Sequence, residues 1–64
     1  MDYSARNLIR ILVHNGFAFR RSNGSHHLYF NAITRKTVTV PVHGSKELPR
    51  GTFYAILKQA DIKL

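Results

Sequence analysis

The 64-residue sequence predicts an α+β fold of order α-β-β-β-α, a three-stranded antiparallel sheet with two helices packed on one face. Three observations lead there. Apolar residues recur at helical spacing near both ends of the chain. Between them lies an alternating stretch interrupted by Asn23-Gly24, followed by a β-branched run that ends at Pro41.

Ser4 is suited to cap the first helix, in which Ala5, Leu8, Ile9 and Leu12 fall at i, i+3, i+4 and i+7, and Gly16 supplies a stop. Arg6 and Arg10, four apart, share a different and exposed stripe. Phe17 to Ser22 alternates as a strand, with Phe17, Phe19 and Arg21 on one side and Ala18 and Arg20 on the other. Asn23-Gly24 is a strong hairpin signal because both residues accept positive φ, and the returning strand is expected from about Ser25 to Asn31. A second turn over Ala32 to Arg35 leads to Thr37-Val38-Thr39-Val40, whose valines should face the core. Pro41 ends that strand. A loop containing His43, Gly44 and Ser45 leads to Pro49, which fits the first turn of a helix whose Phe53, Ile56, Leu57 and Ala60 share one face. No linker or repeat divides the chain, so residues 1–64 read as one domain.

Size and composition bound the function. A 64-residue chain has little room for a deep active-site cavity, and without cysteine it has neither disulfides nor a thiolate zinc site to stabilise it. No apolar run approaches the roughly 20 residues that span a bilayer, and no signal-peptide pattern opens the chain, so a soluble cytoplasmic protein with no membrane partner is expected. Ten Lys and Arg against three Asp and Glu give a net charge of +7, spread along the whole length. That balance favours a polyanionic partner, since cations that neutralise phosphates release condensed counterions. An acidic protein or a solvated basic surface would fit the same charge.

The strongest chemical signal is Gly24-Ser25-His26-His27 at the hairpin. RNA is cleaved without metal when one group takes the proton of a 2′-hydroxyl, another protonates the departing 5′-oxygen, and cations offset charge on the phosphorus. Histidine serves either proton transfer near neutral pH. Gly24 would let the backbone approach a phosphate, and Ser25 could contact it. Successive strand residues point to opposite faces, so His26 and His27 cannot both act on one atom. Periodicity groups His26 with Leu28 and Phe30, and His27 with Tyr29 and Asn31, which by pattern alone makes His27 the more exposed. Strand twist beside a hairpin overrides such patterns, and both histidines stay open on this ground.

His43 is a second candidate, as substrate contact, partner acid or base, or loop cap, the last being favoured. Lys46, Arg50 and the free N–H groups of the last helix suggest a phosphate site, and Arg20, Arg21 and Lys36 are further candidates for holding RNA. Tyr29 and Phe30 would stack on bases if one faced outward, although strand aromatics usually pack in cores. His14, His26, His27 and His43 show no chelating spacing and carboxylates are scarce, so no metal and no other cofactor is expected. No catalytic triad, carboxylate pair, P-loop or dinucleotide fingerprint is present.

The succession Gly16-Phe17, Arg21, Gly24-Ser25-His26-His27, Val38-Thr39-Val40-Pro41-Val42-His43, Leu48, Gly51-Thr52 and Ile56-Leu57-Lys58-Gln59-Ala60 resembles the HicA (YcfA-like) toxin family over nearly the whole chain. Phe53 and Tyr54 depart from the smaller or aliphatic residues often found there, a matter of helix packing. The resemblance implies a double-stranded-RNA-binding-domain-like fold. It also implies an mRNA interferase, a ribosome-independent endoribonuclease that cuts messenger and related RNAs, and a HicB antitoxin that neutralises it. It further implies that His26 is the catalytic histidine, that Gly24 matters for toxicity, and that His27 carries no catalytic role. The competing expectation is a non-catalytic RNA-binding module.

Overall fold

The computed structural model describes residues 1–44 and 46–64. The chain runs α1 (Ala5–His14), β1 (Phe17–Asn23), β2 (His26–Asn31), β3 (Thr37–Pro41) and α2 (Arg50–Gln59), the expected order. The strands form one antiparallel sheet in the order β1-β2-β3. Ser45, assigned by the sequence to the loop before the last helix, lies outside the described residues.

Local chemistry sets the helix ends. The Ser4 hydroxyl accepts the Asn7 N–H at 3.1 Å and so satisfies an amide that the first turn leaves unpaired. Asp2 Oδ1 accepts the Ser4 N–H at 2.9 Å, and this bond holds the Asp2 carboxyl below its ordinary range. After the cap residue Asn15, Gly16 takes φ +93° and turns the chain into β1. Pro49 is the N-cap of α2 rather than part of its first turn. Its extended ψ of 141° brings its carbonyl to the Phe53 N–H at 3.0 Å, while its missing N–H leaves nothing unpaired.

Both helices cover the same face of the sheet. Ala5, Leu8, Ile11 and Leu12 of α1 and Phe53, Ile56 and Leu57 of α2 are buried with Phe17, Tyr29, Val38 and Val40 from the three strands. Tyr29 lies opposite Val38 and both valines face inward, as expected. Tyr3 sets its ring edge against Phe53 at 5.2 Å, and the Leu48 N–H donates to the Tyr3 carbonyl at 2.9 Å. These contacts tie the segment before α1 to the loop before α2. No helix among the described residues is long and apolar enough to cross a membrane.

Asn31 is the buried polar side chain of this core among the described residues. Its Oδ1 accepts the Ile33 and Thr34 N–H groups at 2.9 and 3.1 Å, and its Nδ2 donates to the Asn15 carbonyl at 3.0 Å. One amide thus shapes the β2–β3 turn and fixes the α1–β1 loop beside it. Gly16 is part of this contact, because a Cβ there would come within 3.1 Å of Asn31 Nδ2. Asn31→Ala strands two donors and an acceptor, and should cost on the order of 2–4 kcal/mol in urea unfolding. Ile33→Ser, at a site 89% exposed, should stay within about 0.5 kcal/mol of the parent.

Candidate nucleic-acid interface on the open sheet face

The β1–β2 hairpin closes one residue later than its sequence suggests. Asn23 pairs with His26, so the two loop residues are Gly24 and Ser25 rather than Asn23 and Gly24. Gly24 has φ +62° while Ser25 is not in the positive-φ region, the sign pattern of a turn with glycine at its first central position. The Ser25 carbonyl accepts the Val42 N–H at 2.7 Å, which pins the turn to the end of β3. His26 therefore occupies the first paired position of β2, between Asn23 on one side and Pro41 on the other.

Alternation then separates the two histidines, in the opposite sense to the apolar pattern. His27 shares the helix-side face with Tyr29 and Asn31, is half-buried, and meets the Phe19 ring edge-on at 5.8 Å. His26 is exposed on the open face with Leu28 and Phe30, which are only half-buried. The expectation that His27 would be the more exposed fails because the helices cover the Tyr29 side, leaving the two most apolar residues of β2 on the uncovered side. Burial also pushes the Tyr29 phenol above its ordinary range.

A bulge in β1 supplies the cations. The register passes from Phe19 opposite Tyr29 directly to Arg21 opposite Leu28, so Arg20 is an extra residue without a partner on β2. Simple alternation groups Arg21 with Phe17 and Phe19; the extra residue moves it to the face of His26 instead. Arg20 reaches the same face, its guanidinium carbon 4.9 Å from the Phe30 ring centroid. Arg21, Asn23, His26, Leu28 and Thr39 line a concavity of about 200 Å³. Of these, Asn23 and Thr39 carry no chemical signal in the sequence that ties them to His26; their place on its face follows only from the strand register.

The remaining candidates fall in three places. His43 and Lys46 line a second concavity of about 530 Å³ with Pro41, Glu47, Leu48, Pro49 and Thr52, and Pro41 is the cross-strand neighbour of His26. The His43 carbonyl also accepts the Lys46 N–H at 3.3 Å, in keeping with a loop-capping role. Lys36 precedes β3 at the Asn31 end of the sheet, the full length of β2 from His26, roughly 17 Å at the rise of a strand. Arg50 lies in the helix layer, its guanidinium carbon 5.3 Å from the Tyr3 ring centroid, and does not share the Lys46 concavity.

A Cβ at Gly24 would meet no atom within 4 Å, so the requirement for glycine is its backbone angle and not space. Gly24→Ala should lower stability by about 1–2 kcal/mol in thermal unfolding, and Gly24→Asn should recover much of that loss because asparagine tolerates the left-handed region. Equal stability of all three proteins would refute this account of the turn.

A protein-family model described as the HicA toxin of bacterial toxin-antitoxin matches residues 5–62, from the first residue of α1 to just beyond α2. Comparison with curated proteins returned no match. With the match spanning both helices, the whole sheet and the hairpin that carries His26, the chain belongs to the HicA toxin family of bacterial toxin-antitoxin systems.

Proposed function

We propose that this protein is a metal-independent endoribonuclease, an mRNA interferase whose cleavage of messenger and related RNAs arrests translation and whose partner antitoxin is of the HicB type. The observation that carries the reading is the open-face concavity in which an exposed His26 adjoins Arg21 beside a glycine turn, on a chain of net charge +7. Family membership supports the same reading.

The chemistry needs few groups. The 2′-oxygen attacks the adjacent phosphorus as it loses its proton, the bond to the 5′-oxygen breaks, and a proton is delivered to that leaving oxygen. The products are a 2′,3′-cyclic phosphate and a 5′-hydroxyl. His26 makes one of the two proton transfers, as general base toward the 2′-hydroxyl or general acid toward the 5′-oxygen, and solvent water makes the other; its position next to the turn lets a phosphate approach. Arg21 offsets the charge that builds on the phosphoryl oxygens. Gly24 leaves the backbone bare where the strand enters, and Ser25 is held at the rim through its bond to Val42. Lys46 adds a cation past Pro41, with His43 beside it as a further contact for the RNA.

His26→Ala should reduce RNA cleavage by at least about 100-fold, the usual scale for a lost general acid or base, with an unchanged circular-dichroism spectrum. His27→Ala should keep cleavage while lowering stability, since His27 packs on Phe19. Equal cleavage by the parent and a folded His26→Ala protein would sink the assignment, and loss of activity to a chelator with restoration by a divalent cation would sink the metal-free mechanism. RNA bound but never cut would instead mark a non-catalytic RNA-binding module. Arg21→Ala should weaken RNA binding and lower the slope of log K against log salt by about 1.

A further inference from the structure

We infer that Phe30 and Arg20 form a base-stacking subsite that takes one unpaired base of a single-stranded RNA, at a fixed offset along β2 from His26. The inference rests on the RNA-cleaving reading above and adds to it where the strand is gripped and in which state.

The ring of Phe30 is on the uncovered face of the sheet, where its cross-strand neighbours are the small residues Ala18 and Thr37. Neither neighbour is large enough to cover an aromatic ring. The Arg20 guanidinium stands over it at 4.9 Å, in reach of a cation–π contact. Ala18, Arg20 and Phe30, with Gly16, Phe19 and Ala32, border an open concavity of about 270 Å³. A base presents the same kind of π-face that the ring presents to the guanidinium. It can slide onto Phe30 while Arg20 closes over its other side, replacing one planar contact with two.

Charge favours the same occupant. The bulge sets two guanidiniums side by side in sequence, and the register brings no carboxylate to the open face: Ala18, Arg21, Asn23, His26, Leu28, Phe30, Thr37, Thr39 and Pro41 share it. Neighbouring guanidiniums on a face with no carboxylate attract an anion, and a phosphate backbone running along β2 supplies one at each step. His26 and Phe30 are four residues apart on one face, about 13 Å at the rise of a strand, a distance that a few nucleotides bridge. Bases within a duplex are already stacked on both faces and offer only their edges, so a stacking platform selects unpaired nucleotides.

The test uses the full chain carrying His26→Ala, so that the RNA stays intact, and labelled oligoribonucleotides of mixed sequence followed by fluorescence anisotropy. The single strand should bind more tightly than the matching duplex. Phe30→Leu, which keeps the apolar bulk and loses the π-face, should weaken single-strand binding by roughly 5- to 150-fold without changing the salt slope, and Phe30→Tyr should restore it. Replacing one nucleotide by an abasic unit should cost a similar factor in the parent background and little in Phe30→Leu. Single-strand affinity unchanged in Phe30→Leu, or duplex bound as tightly as single strand, would overturn the inference. Cleavage by the unmutated protein, assayed in parallel, separates the two readings. Stacking without cleavage removes the nuclease alone, cleavage indifferent to Phe30 removes the subsite alone, and no RNA binding by the folded protein removes both.

Discussion

The pairing of β1 with β2 carries one residue in excess, and the rest of the molecule is arranged around that mismatch. Below the bulge, Phe17 and Phe19 lie opposite Asn31 and Tyr29 and keep an unbroken period-two pattern on the helix side. Above it, Arg21 and Asn23 lie opposite Leu28 and His26 on the other face. Without the bulge, unbroken alternation would have put Arg21, the fifth residue of β1, on the helix side, where a guanidinium would meet Tyr29 and His27. Inserting one residue lets the chain bury Phe17, keep Phe19 beside Tyr29 and His27 on the helix side, and then deliver two consecutive arginines to the open side.

A chain this small has one core to build and one sheet to build it on, so its two faces divide the work. Every strand residue in the buried cluster, Phe17, Tyr29, Val38 and Val40, comes from one side of the pleat. The other side keeps Leu28 and Phe30 half-exposed, which leaves some of the roughly 1.5–3 kcal/mol of burial available to each unused by folding. Those residues sit among Arg20, Arg21 and His26, a mixture of apolar surface and positive charge that suits a ligand with both planar bases and phosphates. The acids lie elsewhere, Asp2 before α1, Glu47 bridged to Ser4, and Asp61 beyond α2. Hence the positive field on the open face is not cancelled locally.

Much of this was legible in the residue order. Ser4, the valines of β3 and the face Phe53, Ile56, Leu57 and Ala60 each announce a local geometry that short-range physics enforces, and the structure keeps them; on α1 it buries Ala5, Leu8 and Leu12 as the spacing implies but Ile11 in place of Ile9, which is only partly buried. The hairpin was legible in kind but not in register: Asn23 and Gly24 both accept positive φ, and only the pairing of Asn23 with His26 decides that Gly24 and Ser25 form the loop. Asn31 reads as a polar strand end, yet its amide is the hub between two loops distant in sequence. Phe30 reads as core, and it lies on the uncovered face.

By itself the sequence determined the element order, the α+β class, the one-sided apolar helices and the surplus of positive charge, because each depends on near neighbours or on composition alone. It also bounded the chemistry to a histidine at a glycine turn. Only the tertiary structure decided which face of the sheet the helices cover, and with it that His26 is exposed and His27 half-buried. The face of Arg21 and the placement of Lys36 at the far end of β2 from His26 were likewise settled at that level. The reason is that a two-residue period labels the faces of a strand without saying which is inside. One unpaired residue inverts every label after it, and neither the cover nor the bulge leaves a local mark in the chain.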